Sequence, residues 1–349
     1  MRLGVNLGYD FGADYREHLA LGLEADLLGY DSAWVAEAYG SDAPSVLGWL
    51  AARTEHIAIG SAVMQIPGRT PAMTAMTAAT LDRLSGGRFR LGLGVSGPQV
   101  SAGWHGVAFE RPLQRTREYV DIVTAALRRE TLRYTGEHYT LPLPDGPGKA
   151  LRLGVRPLRP DIPLYLAAVG PKNVRLAGEV ADGWLAVFFA PEHAADSMAE
   201  LGSGLATRGR TMDTFDVVAT VPVVVGDDIA VCAEPVRAYA ALYLGGMGSR
   251  EHNFYNAHAA RMGFATQAKR CQDLFLAGNI RAAAAAVPLE FVDQTCLLGP
   301  PERIAERLGA FAAAGVTTLN VACLSATQAG RLATLRTVVS ALDAAGLGD

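Results

Sequence analysis

Short apolar runs without polar alternation recur along the chain, and amphipathic stretches separate them. "RLGVNLGY" (2–9), "SAWVAEA" (32–38), "IAIGSAVM" (57–64), "RFRLGLGV" (88–95), "PLYLAAV" (163–169), "GWLAVFF" (183–189), "FDVVATVPVVV" (215–225) and "VTTLNVAC" (316–323) all have strand length. Runs such as "WLAVFF" and "RLGLGV" suit strands covered on both faces, as in a parallel sheet. Helical patterns follow most of them: in "YREHLALGLEADLLGY", Leu19, Leu23, Ala25 and Leu27 fall near a 3.6-residue period. Eight such units favour an α/β fold, a (β/α)8 TIM-type barrel, over an open doubly wound sheet.

Two stretches break the rhythm. Residues 130–162 are rich in Gly and Pro and long for a connection, and residues 237–310 are mostly helical. The expectation is one barrel domain over residues 1–349 with insertions at those two places.

A chain of 349 residues, half of them hydrophobic, can bury a large core. A net charge of −4 leaves no basic footprint for nucleic acid or an anionic membrane surface. Cys232, Cys271, Cys296 and Cys323 are far apart and form no CxxC pair, so neither a metal site nor a disulfide framework is expected. The first residues have no secretory pattern, and a cytoplasmic location is expected.

A barrel puts its chemistry just beyond the C-terminal ends of the strands. Glu37 and Tyr39 lie there after the second strand, Ser61 to Gln65 after the third, and Ser96 and Gly97 after the fourth. Trp104 and His105 follow in the fourth strand's long loop, and Gly170-Pro171-Lys172-Asn173 closes the fifth strand and opens a helix. That seam reads either as a plain turn or as a nest of N–H groups for an anion, most often a phosphate. A carboxylate such as Glu37 at the end of a core strand needs a ligand or a polar partner, and an arginine ion pair would serve. His105 is open to a catalytic or a hydrogen-bonded structural role.

Gly92-x-Gly94-x-x-Gly97 fits a dinucleotide fingerprint, but Pro98 and a polar stretch follow it where a helix should begin. The glycines are expected instead to let a flat ligand approach the strand ends. HExxH, GxSxG and GxxxxGK[ST] are absent. With no hydrolytic constellation, the chemistry falls to a cofactor that the protein binds and orients.

"LDRLSGGRFRLGLGVSG", "GWHG", "RPLQRTREYVDIV", "GEHYTLP" and "IPLYLAAVGPKNVRLAGEVADGWL", in that order, resemble the bacterial luciferase-like superfamily. They look most like its coenzyme F420-dependent oxidoreductases. The resemblance covers residues 2 to about 325. It implies a barrel holding a flavin or 5-deazaflavin at its C-terminal face, with a non-prolyl cis peptide in the bulge after strand three. That bond falls at Ala62–Val63 or Ser61–Ala62. The implied cofactor residues are Gly60, Ser61, Ala62 and Val63 at the bulge, Ser96 and Gly97, and a phosphate site of Ala168, Val169, Gly170, Pro171, Lys172 and Asn173.

Deazaflavin sugar-phosphate and alcohol dehydrogenases of the superfamily carry an Asp-His pair after strand two. Here "AEAYG" places Glu37 there without a histidine. Hydride transfer between F420 C5 and a small organic substrate is the expected activity, with reduction of an activated C=C or C=N bond left open. Glu37 is the favoured proton donor and His105 its competitor. An FMN-dependent monooxygenase and a catalytically idle flavin-binding barrel are the alternatives. A homodimer without nucleic acid, membrane or metal is expected.

Overall fold

The computed structural model describes residues 1–8 and 14–348. Its eight barrel strands are β1 (Arg2–Gly8), β2 (Ser32–Val35), β3 (Ala58–Ser61), β4 (Phe89–Gly94), β5 (Leu164–Ala167), β6 (Gly183–Val187), β7 (Asp216–Val225) and β8 (Thr318–Cys323). Each pairs in parallel with the next, and β8 returns to β1 with Thr318 opposite Arg2, so the sheet closes into a (β/α)8 TIM-type barrel. The expected last residue of the first strand, Tyr9, lies outside the described residues.

Several helices begin where side-chain chemistry predicts. Asp14, Asp42, Thr70, Asp228 and Thr327 each accept a hydrogen bond from a first-turn N–H, which satisfies a donor the helix cannot. "PQVSAG", read as a polar loop, is a short helix from Pro98 to Gly103.

The barrel interior is filled by complementary volumes. Trp34 of β2 meets Tyr165 of β5 edge-on, with ring centroids 5.1 Å apart. Glycines on neighbouring strands make room for them: a Cβ on Gly60 would lie 2.5 Å from the Trp34 ring, and one on Gly183 2.2 Å from Tyr165. Below these rings Asp216 accepts from the hydroxyls of Tyr165, Thr317 and Thr318 and pairs with Arg2, closing the N-terminal end. Function is therefore left to the opposite face.

Within residues 130–162 a small antiparallel hairpin forms, Tyr134–Thr135 with Thr140–Leu141. Residues 237–310 are chiefly helical, and they add a short strand, Leu297–Gly299, beside the end of β7. Tyr243, Phe264, Phe291 and Val292 bury a cluster there that is rooted on Phe188 and Ala190, just past β6. This roots the helical segment beside the barrel mouth.

Candidate active site

Three loops meet above β2, β3 and β4. After Ser61 the chain leaves β3, makes a cis peptide between Ala62 and Val63, and rejoins the sheet with Met64 and Gln65 beside Leu93 and Gly94. The bond lies at the first of the two positions that the resemblance implied. Val63 rests against β4: a Cβ on Gly94 would lie 2.5 Å from Val63 Cγ2 and 3.7 Å from Ala167 Cβ. The bulge, the end of β4 and the end of β5 therefore form one continuous apolar floor.

This geometry changes the reading of several expected cofactor residues. Ser61 is fully buried, donating to the Gly92 carbonyl at 2.8 Å and accepting from the Gly92 N–H at 2.9 Å. It joins two strands. Gly60 accommodates Trp34, and Gly92 is needed because a Cβ there would fall 1.8 Å from the Ser61 carbonyl oxygen. Barrel packing alone therefore requires both glycines. Ala62 and Val63 are half-buried at the floor, as are Ser96, in the left-handed region with φ 63°, and Gly97.

Glu37 lies two residues past β2, its side chain 9% exposed. Its carboxylate accepts from the Ala43 N–H at 3.0 Å, the Gln65 N–H at 3.3 Å and Arg69 Nη1 at 2.7 Å. Arg69 also reaches Asp42 at 2.5 Å, and Asp42 caps the helix from Ala43 to Ala51. Both Glu37 oxygens are thus committed as acceptors, one of them to a guanidinium. These bonds give Glu37 an anchoring role between the loops after β2 and β3, in place of the free carboxyl that the expected proton donor would need.

The Glu37 carbonyl accepts from Gln65 Nε2 at 3.1 Å, and Gln65 Oε1 lies 2.9 Å from His105 Nε2. His105 is thereby one amide away from Glu37, although it comes from the loop after β4. Sequence reasoning missed Arg69 and, although it placed Gln65 beyond the third strand with the candidate positions, gave it no role. A polar residue ending the apolar run "IAIGSAVM" was the only signal for Gln65.

The seam beyond β5 opens the helix Pro171–Val180. The N–H groups of Asn173 and Val174 both return to the Gly170 carbonyl, and Pro171 has none, so that of Lys172 remains for a ligand. Lys172 is exposed and has no ion pair among the described residues. Ala168 and Val169 give their carbonyls to Trp184 Nε1 at 2.8 Å and Arg261 Nη2 at 3.1 Å. Arg261 also meets His258 Nδ1 at 3.3 Å, while His258 Nε2 lies 3.0 Å from the Phe188 carbonyl. Burial, reinforced by the guanidinium, holds the His258 pKa below its ordinary value despite that carbonyl. A second cation thus arrives at the seam from the helical segment, without any local sequence signal.

A floor of small apolar residues beside a helix N-terminus with spare N–H and cationic groups suits a flat ring bearing a phosphate. The profile of the luciferase-like monooxygenase family matches residues 1–318. A Mycobacterium tuberculosis protein, named as a candidate coenzyme F420-dependent oxidoreductase, is 43% identical over 342 residues, covering 96% of this chain and 99% of its own. The chain belongs to the luciferase-like monooxygenase family. The 5,10-methylenetetrahydromethanopterin reductase of Archaeoglobus fulgidus is 29% identical over 83% of this chain and 84% of its own. Among solved structures, the coenzyme F420-dependent tetrahydromethanopterin reductase of Methanopyrus kandleri superposes with a TM-score of 0.81 at 22% identity, covering 97% of each chain. That likeness confirms the family's fold in this chain. No helix among the described residues is long and apolar enough to cross a membrane.

Proposed function

We propose that this family member is a coenzyme F420-dependent oxidoreductase that moves a hydride between the cofactor and a small organic substrate. The observation that carries the reading is the continuity of the floor: Val63 and Ala167 both lie against the space a side chain on Gly94 would fill, and the cationic seam begins at the next residue, Ala168. A tricyclic ring on that floor would have its phosphate side chain led toward Lys172 and Arg261. The relatives' names support a deazaflavin in that position.

The residues present fit the group. Ala62, Val63 and Ala167 offer an apolar backing, and Gly170, with nothing within 4 Å of a would-be Cβ, leaves the seam open. Gly97, Lys172 and Asn173 border the same mouth. When bound, the deazaflavin supplies the hydride at C5. The chain supplies binding, orientation and a proton, and His105 is the group placed to handle that proton, held by Gln65. Such a division of labour suits reduction of an activated C=C or C=N bond.

Exposed Met73, Met76 and Leu84 along the helix Pro71–Leu84 support a second copy of the chain as a partner. Fluorescence titration of the purified protein with F420 and with FMN tests the central reading. Tighter F420 binding is expected, and tighter FMN binding would move the assignment to an FMN-dependent monooxygenase.

A further inference from the structure

Gln65 is 5% exposed, and its amide is held at both ends. Nε2 donates to the Glu37 carbonyl at 3.1 Å, and Oε1 lies 2.9 Å from His105 Nε2. A backbone carbonyl can only accept, so the NH2 end of the amide must face Glu37 and its oxygen must face His105. An amide oxygen also only accepts, so His105 Nε2 must carry a hydrogen whatever the charge on the ring. Nδ1 has no hydrogen-bond partner among the described residues and is not a buried orphan, so solvent or a ligand can reach it.

We propose that Gln65 is a positioning residue that fixes a hydrogen on His105 Nε2 and reserves Nδ1 for the proton exchanged in the reaction. The inference rests on His105 being the proton-handling group. In the protonated ring, Nδ1–H gives its proton to the substrate atom, the bond pair stays on Nδ1, and the neutral Nε2–H tautomer remains. Solvent then restores the proton.

The surroundings keep the amide from turning. Its backbone N–H is held by the Glu37 carboxylate at 3.3 Å, and that carboxylate is held by Arg69. Gly68 leaves space for the imidazole, since a Cβ there would lie 3.1 Å from Cε1, the carbon between the two ring nitrogens. The group touching the ring is a neutral amide rather than a carboxylate. It selects the tautomer without placing a full negative charge against an imidazolium, as a carboxylate partner would.

The test is a long-range 1H–15N correlation spectrum of histidine-labelled protein at about pH 8, where a free histidine is neutral, with His105 assigned by its loss in His105→Asn. The expected result is an Nε2–H tautomer for His105 in the unaltered protein. Gln65→Leu should give a mixture of tautomers and lower kcat by about 10-fold or more, with F420 affinity unchanged. Gly68→Ala, which leaves the amide in place but crowds the ring, should also lower kcat. A neutral ring protonated on Nδ1 in the unaltered protein would overturn the inference, and that spectrum decides even if Gln65→Leu does not fold. An unchanged His105 spectrum in folded Gln65→Leu would overturn it too. Full turnover by His105→Asn would instead overturn the proton-handling reading beneath it, whichever tautomer the spectrum shows.

Discussion

Arg69 Nη1 lies 2.7 Å from Glu37 Oε2, and this pair ties the loop after β3 to the loop after β2. Both side chains are largely removed from solvent, at 16% and 9% exposure. Removing one partner from such a pair leaves a charge without compensation in a poorly solvated place. Arg69→Met should therefore destabilise the protein by about 3–5 kcal/mol, and Glu37→Gln/Arg69→Met by less than the sum of its single changes. Urea unfolding of the four proteins checks this. Strict additivity would show that the two groups do not interact.

Gly170 has φ −83° and nothing within 4 Å of a would-be Cβ, so the fold does not require glycine there. Any requirement must come from a ligand approaching the N–H groups of the seam. Gly170→Val should leave the unfolding midpoint nearly unchanged and weaken F420 binding by about 10-fold, the equivalent of roughly 1.4 kcal/mol. Titration alongside thermal unfolding separates the two effects. Unchanged affinity would reduce the seam to a turn.

The barrel can be read from sequence because doubly covered strands leave unbroken apolar runs, and the seam because Gly-Pro-Lys-Asn ends one of them. The rest of the site is written in long-range contacts. Arg261 reaches Val169 across 92 positions of chain, and Gln65 gains its role only once a loop 40 residues on brings His105 to it. Glu37 shows the same limit. A lone carboxylate after a strand suggests an acid, and only the structure supplies Arg69 and the two N–H groups that occupy it. The strand Leu297–Gly299 is too short to stand out among helices.

Glu118 provides a pH-dependent link between the barrel and the hairpin at Tyr134–Leu141. Burial alone would raise its pKa, but bonds from Gln114 Nε2 and the N–H groups of Glu137, His138 and Tyr139 outweigh burial and lower it. With the folded pKa below the unfolded one, the unfolded chain binds more protons in acid. The contribution is complete above the ordinary carboxylate range and disappears as pH falls through the folded pKa. At pH near 7, Glu118→Gln should cost about 1–3 kcal/mol. Urea titrations of both proteins should show the difference shrinking below about pH 4. A constant difference would place the contribution in packing rather than charge.

The G-x-G-x-x-G run offers the last test, because its glycines are required for different reasons. A dinucleotide site would use all three around a pyrophosphate and a helix. Here a Cβ on Gly92 would sit 1.8 Å from the Ser61 carbonyl oxygen, whereas one on Gly97 would meet nothing within 4 Å. The Ser61 backbone cannot yield without moving β3, whose next residues form the floor beneath the proposed ring. Gly92→Ala should therefore destabilise by about 3 kcal/mol or more, the upper end of overpacking effects. Gly97, at the start of the short helix from Pro98, has φ −124° and open space for a Cβ, so Gly97→Ala should stay within roughly 0.5 kcal/mol of the unaltered protein. Thermal unfolding of both variants decides the matter. If Gly92→Ala is tolerated, β3 and β4 do not pack this closely at Ser61, and the glycine must answer to a ligand instead.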